Sequence, residues 1–200
     1  MGRLKRGRHR SRRAFNPWRA DFLTAYAAAG LAAYALIRGV LLQTPTGMLA
    51  GAGLAAALGW FAVTSWRTAR SRWYGQQLEA WATDQVGRLL DRRKVSWVAG
   101  HYVPGLGDID LMVQGKKATA VVEIKSFNRW HQGLFRIGRR EQAAIEQAGR
   151  QLETVGADLA MVWLPRGRPT LGQRIFGAGT RHVRVVFGPP SRLARKLRKV

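Results

Sequence analysis

Hydrophobic and polar positions change rhythm along this chain, and each change predicts a different kind of element. From 22 to 42 the residues are apolar apart from Thr24, Arg38 and small side chains, and from 47 to 66 there is no charge at all. Each run holds about twenty residues, enough at ~1.5 Å per residue to cross a ~30 Å hydrocarbon layer. The pattern predicts transmembrane helices over 20–42 and 47–66, joined by a short external turn at 43–46, Gln43-Thr44-Pro45-Thr46. Further on the rhythm becomes amphipathic. Leu78, Trp81, Ala82, Val86, Leu89 and Leu90 form one stripe of a helix over 76–91.

Beyond that helix, alternation with period two dominates. In 107–113, Ile109, Leu111 and Val113 face one way while Asp108 and Asp110 face the other. In 120–125, Val122 and Ile124 oppose Val121, Glu123 and Lys125, and Gln114-Gly115-Lys116-Lys117 between the two strands suits a hairpin turn. A strand over 95–102 precedes this pair. A helix over 140–155 follows, with Ile145, Ala148, Leu152 and Val155 on its buried stripe. The continuous apolar run at 158–164 reads as a central strand, 182–187 as an edge strand, and 191–199 as a closing basic helix. Helix, three strands, helix, two strands and helix make an α/β sandwich around a mixed sheet, occupying residues 67–200.

Charge sharpens the membrane reading. The chain of 200 residues carries a net charge of +23 and no cysteine, which excludes disulfides and thiolate metal sites. Arg3, Lys5, Arg6, Arg8, Arg10, Arg12, Arg13 and Arg19 make residues 1–19 a basic tail without an acid, and Arg67, Arg70 and Arg72 follow the second apolar run. Positive flanks around an uncharged turn predict both termini on the cytoplasmic side of a plasma (inner) membrane. They also argue against a cleaved signal peptide. Asn16 and Pro17 suit the start of the first helix. Trp18, Trp60, Phe61, Trp66 and Trp73 suit an interfacial belt, and Arg38 lies close enough to the helix end to snorkel. Gly47-x-x-x-Gly51 and Ala55-x-x-x-Gly59 offer small surfaces for close helix approach.

Pairing the two alternating strands puts the carboxylates of Asp110 and Glu123 on one face beside the ammonium of Lys125. Metal-assisted phosphodiester hydrolysis needs such a set: oxygen ligands for a hard cation and a positive charge near the phosphate. Glu79 lies about 60° from the centre of its helix stripe, so its carboxylate leans toward the core and wants a partner or a metal. Gln147 and Gln151, four apart, border the stripe of the second helix and point the same way. The loop Phe127-Asn128-Arg129-Trp130-His131-Gln132 interleaves cations and aromatics just after Lys125. It is a candidate for phosphate contact and base stacking through Arg129, Trp130 and His131.

The order of elements, with Gly107-Asp108-Ile109-Asp110-Leu111 and, thirteen positions on from Asp110 to Glu123, Val122-Glu123-Ile124-Lys125, resembles the PD-(D/E)xK nuclease superfamily. The domain looks most like the nuclease-related (NERD) and Mrr-like branches. The resemblance covers about residues 74–188 and implies a restriction-endonuclease-like fold. It implies metal ligation by Asp110 rather than Asp108, together with Glu123, and water or charge handling by Lys125. It also implies a further acidic metal ligand on the helix, Glu79 in Gly75-Gln76-Gln77-Leu78-Glu79, and a glutamine such as Gln147 that positions water or DNA. NERD members more often carry Glu directly after that glycine, where Gln76 stands here.

The expected cofactor is Mg²⁺ or Mn²⁺, the expected partner DNA, with anionic lipid on the basic tail and no small-molecule cofactor. Self-association into a homo-oligomer stays open. The four histidines, His9, His101, His131 and His182, are too scattered to suggest zinc. No glycine-rich phosphate loop and no Ser/His/Asp arrangement recommends nucleotide hydrolysis or acyl transfer. Two other readings remain: a membrane-tethered nucleic-acid-binding or interaction module of the same fold without turnover, and a structural component of a membrane assembly.

Overall fold

The computed structural model describes residues 7–8, 17–127, 129–132, 137–198 and 200. The expected cap Asn16, most of the basic tail, Asn128 and Lys199 lie outside the described residues. Two compact units divide the chain, one over Arg13–Gln76 and one containing Gln77–Val200.

The first unit is helical. Helix α1 runs over Pro17–Leu41, and α2 begins at Pro45 and continues to Asp91. Thr44 ends the turn between them, its Oγ1 accepting from the Gly47 N–H at 3.1 Å, and Pro45 takes the first helical position, where its missing N–H is no loss. Alanine- and leucine-rich sequence favours helix throughout. Both helices are long and apolar enough to cross a membrane. Their apolar side chains are largely outward-facing: Leu23, Leu31, Leu36, Leu49 and Leu54 are all exposed. That is the reverse of a soluble core helix. The helices approach closely at Gly39 and Gly51, where a Cβ on Gly51 would stand 2.7 Å from the Gly39 Cα. Of the small-residue motifs, then, Gly51 makes the close approach. Gly47 is enclosed by the turn, and Gly59 faces open space. Near the other end Phe22 packs edge-on against Trp66 at 4.6 Å, and Asp21 pairs with Arg72 at 2.7 Å.

The helices expected at 47–66 and 76–91 are one continuous element. No proline interrupts 67–75, and Gly75 alone is too weak a breaker to end a helix.

The second unit is mixed α/β. Strands β2 (Ser96–Val103), β3 (Gly107–Gln114), β4 (Thr119–Ile124), β5 (Leu159–Leu164) and β6 (Val183–Phe187) form a mixed sheet in sequence order, with the two-residue β1 (Gly7–Arg8) parallel to β2 at one edge. β2–β3–β4 are antiparallel and β4–β5–β6 parallel. Helix α3 (Arg139–Val155) makes the crossover that the parallel step from β4 to β5 requires. A short α4 (Leu171–Phe176) lies between β5 and β6, and α5 (Pro190–Leu197) closes the chain.

Alternation sorts the core onto two sides. Val122 and Ile124 join Leu111, Val113, Ala82, Val86, Leu90, Leu193 and Leu197 from α2, β3 and α5. Val121 and Met112 join Ala144, Ala148, Val162 and Val185, with Ile109 in this second cluster rather than beside Leu111. The α2 packing is tight at Gly87, where a Cβ would meet the Trp97 ring at 2.5 Å. The indole Nε1 of that Trp97 donates to Asp91 Oδ1 at 2.9 Å.

Candidate active site

The site grows out of the β3–β4 pair. Their register, Leu111 opposite Val122, brings Asp110 opposite Glu123 one step further along. Because side chains alternate across a strand, both carboxylates leave the same sheet face. The Ile124 N–H donates to Asp110 Oδ2 at 2.7 Å, locking that side chain against β4. Asp110 and Glu123 are buried, 6% and 3% exposed. Lys125 leaves the end of β4, where its own N–H donates to the Trp163 carbonyl at 2.9 Å and ties the position to β5.

Two glutamines of α3 complete the arrangement. Lys125 Nζ lies 2.6 Å from Glu123 Oε1 and donates to Gln147 Oε1 at 3.2 Å. Gln151 Nε2 donates to Glu123 Oε2 at 2.8 Å. Each Glu123 oxygen therefore has a fixed partner. Gln151 is fully buried, and its Oε1 has no hydrogen-bond partner among the described residues. Glu79, from α2, hydrogen-bonds the Asp110 side chain. Asp110 consequently holds its proton well above the usual carboxyl range. Burial is the main cause, followed by the negative charges of Glu123 and Glu79 and by the Glu79 hydrogen bond; the Ile124 N–H opposes them.

The fold thus brings together Glu79, Asp110, Glu123, Lys125 and Gln147, residues expected from sequence. A third glutamine of α3, Gln142, plays no part in this set, its amide donating to Glu146 at 2.9 Å. Among the described residues, no three His, Asp or Glu side chains are grouped closely enough to hold a metal ion. Glu79 meets Asp110 as a hydrogen-bond partner, carboxyl to carboxyl. The donors are nonetheless all oxygen, two buried carboxylates stand on one strand pair, and one of them holds its proton because burial and the neighbouring carboxylates disfavour its charge. All-oxygen donors of this kind suit a hard cation, which Asp110 and Glu123 would hold.

The loop after β4 departs from expectation at Trp130. Expected to offer a stacking surface, it is 2% exposed, its ring packed in the second core cluster and its Nε1 bound to Gln132 Oε1 at 2.8 Å. A large aromatic ring gains more from burial than from water contact, so it supports the loop instead. Arg129 and His131 remain exposed. With Arg166, Arg168, Pro169 and Thr170 they line a cleft of about 610 Å³. β4 and β5 are parallel, so the cleft lies past their carboxyl ends, where open α/β sheets place ligands.

Several polar residues shape this region without a sequence expectation. Glu141, at the first turn of α3 and 1% exposed, accepts from the His131 N–H at 3.2 Å and pairs with Arg140 at 3.2 Å. Burial would raise its pKa, but the N–H groups of His131 and of Glu141 itself, with the Arg140 guanidinium, outweigh that and lower it. Gln132 exchanges hydrogen bonds with both N–H and C=O of Gly179, at 2.9 and 3.0 Å. The signal for Glu141 was its place three residues into a helix that follows a loop. For Arg166 and Arg168, it was a basic Pro-Arg-Gly-Arg-Pro stretch directly after a parallel strand.

A comparison with family models, curated proteins and solved structures finds no match for the chain.

Proposed function

We propose that this chain is a membrane-anchored, Mg²⁺- or Mn²⁺-dependent nuclease of the PD-(D/E)xK type, hydrolysing DNA phosphodiester bonds at the cytoplasmic face. The observation that carries the reading is the opposed pair Asp110 and Glu123 with Lys125 held 2.6 Å from Glu123. When bound, the cation supplies a Lewis acid and a water of lowered pKa. Asp110 and Glu123 are the residues that would hold it. Lys125, steadied by Glu123 and Gln147, offsets negative charge developing on the phosphate. Gln151 fixes the Glu123 rotamer from behind. Arg129, His131, Arg166 and Arg168 give the backbone phosphates a basic cleft at the same end of the sheet. The apolar faces of α1 and α2 supply the anchor.

The purified full chain in detergent is expected to nick plasmid DNA with Mg²⁺ or Mn²⁺ and not with EDTA. Asp110→Ala and Lys125→Ala are each expected to remove the activity; undiminished cleavage in both variants would falsify the assignment.

One observation favours a second reading. The described residues hold no group of three metal-ligating side chains. The same domain would then be a tethered nucleic-acid-binding module without turnover, and DNA binding would need no metal and would survive Glu123→Ala.

A further inference from the structure

Helix α4 is amphipathic in the inverted sense. Its polar residue Gln173 is the buried one, 8% exposed, while Leu171, Ile175 and Phe176 are 73%, 66% and 77% exposed. At about 100° per residue, Leu171 and Ile175 lie on the side of the helix opposite Gln173. The inversion is firmly built. Gln173 Nε2 donates to the Trp130 carbonyl at 2.8 Å, and its Oε1 accepts from the Thr170 N–H at 3.0 Å. Thr170 Oγ1 accepts from the Gln173 N–H in return, completing a capping box. The helix cannot roll its apolar side inward without breaking these bonds. Three large apolar side chains on six residues therefore need an external partner.

Charge identifies that partner. Residues 165–182 carry Arg166, Arg168, Arg174 and Arg181 and no acidic residue. A second copy of this chain would bring the same arginines against them. A nucleic-acid backbone would satisfy the arginines but leave Leu171 and Ile175 without an apolar contact. An anionic bilayer surface offers both acyl chains and negative headgroups. We propose that α4 is an interfacial anchor: Leu171, Ile175 and Phe176 enter the headgroup boundary of an anionic membrane while Arg174 and Arg181 pair with lipid phosphates. This inference shares the membrane reading of α1 and α2 but not the nuclease reading. It would hold the basic cleft beside α4 against the lipid surface.

The chain has no cysteine, so Ile175→Cys creates a single site for a fluorescent label. The full chain is reconstituted in nanodiscs of phosphatidylglycerol and phosphatidylcholine, or of phosphatidylcholine alone, and quenched by nitroxide-bearing lipid or by aqueous iodide. Glu146→Cys on α3 is the aqueous control and Leu31→Cys on α1 the membrane control. In anionic discs the label at 175 is expected to be quenched by lipid nitroxide several-fold more than the label at 146, and less by iodide. Replacing phosphatidylglycerol, or introducing Arg174→Glu with Arg181→Glu, should reverse both. A label at 175 as aqueous as that at 146, while the label at 31 is quenched by lipid, overturns this inference alone. An unquenched label at 31 overturns the membrane reading with it. Protection of 175 only as protein concentration rises in detergent, or only on adding duplex DNA, assigns the face to self-association or to nucleic acid and likewise overturns it.

Discussion

Glu123 offers one carboxylate oxygen to Lys125 and the other to Gln151, and the second contact, at 2.8 Å, reaches it from a side chain wholly removed from solvent. Gln151→Leu removes that donor and leaves a buried carboxylate oxygen unpaired, at a cost of about 1–3 kcal/mol. Denaturant unfolding should show this loss. Cleavage should fall as well, because Glu123 is free to turn. Retained activity with lost stability would limit Gln151 to packing.

Asp110 should trade function for stability. Asp110→Asn keeps an acceptor for the Ile124 N–H while removing repulsion among three neighbouring carboxylates, so the thermal midpoint is expected to stay or rise by a few degrees while cleavage disappears. A variant that loses both would point to a structural role instead.

The same carboxyl sets a pH dependence. Its folded pKa is raised, so the stability its proton contributes is fully present below the unfolded carboxyl value of about 4 and is lost as pH rises through the folded value. Asp110→Asn should flatten that slope, and Mn²⁺ should raise the wild-type melting temperature at neutral pH more than that of the variant. Glu141 acts in the opposite sense. Its lowered pKa contributes stability above the unfolded value that is lost as pH falls through the folded one, and Glu141→Gln should remove that acid-side loss. Melting curves from pH 3 to 8 would check both signs.

Trp130 and its neighbours should separate by readout. Trp130→Ala empties a buried aromatic site and should cost about 3–5 kcal/mol of stability. Arg129→Ala and Arg168→Ala should leave the fold intact and weaken DNA binding, each reducing the salt dependence of affinity by about one unit of log slope. Fluorescence anisotropy across a salt series would test this. An unchanged slope in both would remove the cleft from the binding surface.

Two glycines of α2 should respond with opposite signs. Gly87→Ala drives a Cβ toward the Trp97 ring, where it would stand at 2.5 Å, and should destabilise by about 1–3 kcal/mol. Gly75→Ala meets open space within the same helix and should stabilise by up to about 1 kcal/mol.

Sequence alone determined the elements whose rhythm is local. The two apolar runs, the alternating strands around Asp110 and Glu123, and the stripe ending at Leu90, apart from Trp81, which is exposed, were legible because burial on one face imprints a period on the chain. So was the shared face of Asp110, Glu123 and Lys125, since a strand alternates regardless of what lies across from it. Tertiary structure decided the rest. Continuity of α2 through 67–75 depends on a missing interruption, which leaves no periodic mark. The partnership of Glu79 with Asp110, and of Gln147 and Gln151 with the β4 side chains, depends on how α2 and α3 pack on the sheet, a geometry no spacing encodes. Trp130 and α4 show the limit most plainly. An indole in a basic loop looks exposed until the fold buries it with its Nε1 on Gln132, and no rhythm in 171–176 foretells a short helix that turns its polar Gln173 inward. Burial is a property of the surroundings, and only the folded chain supplies them.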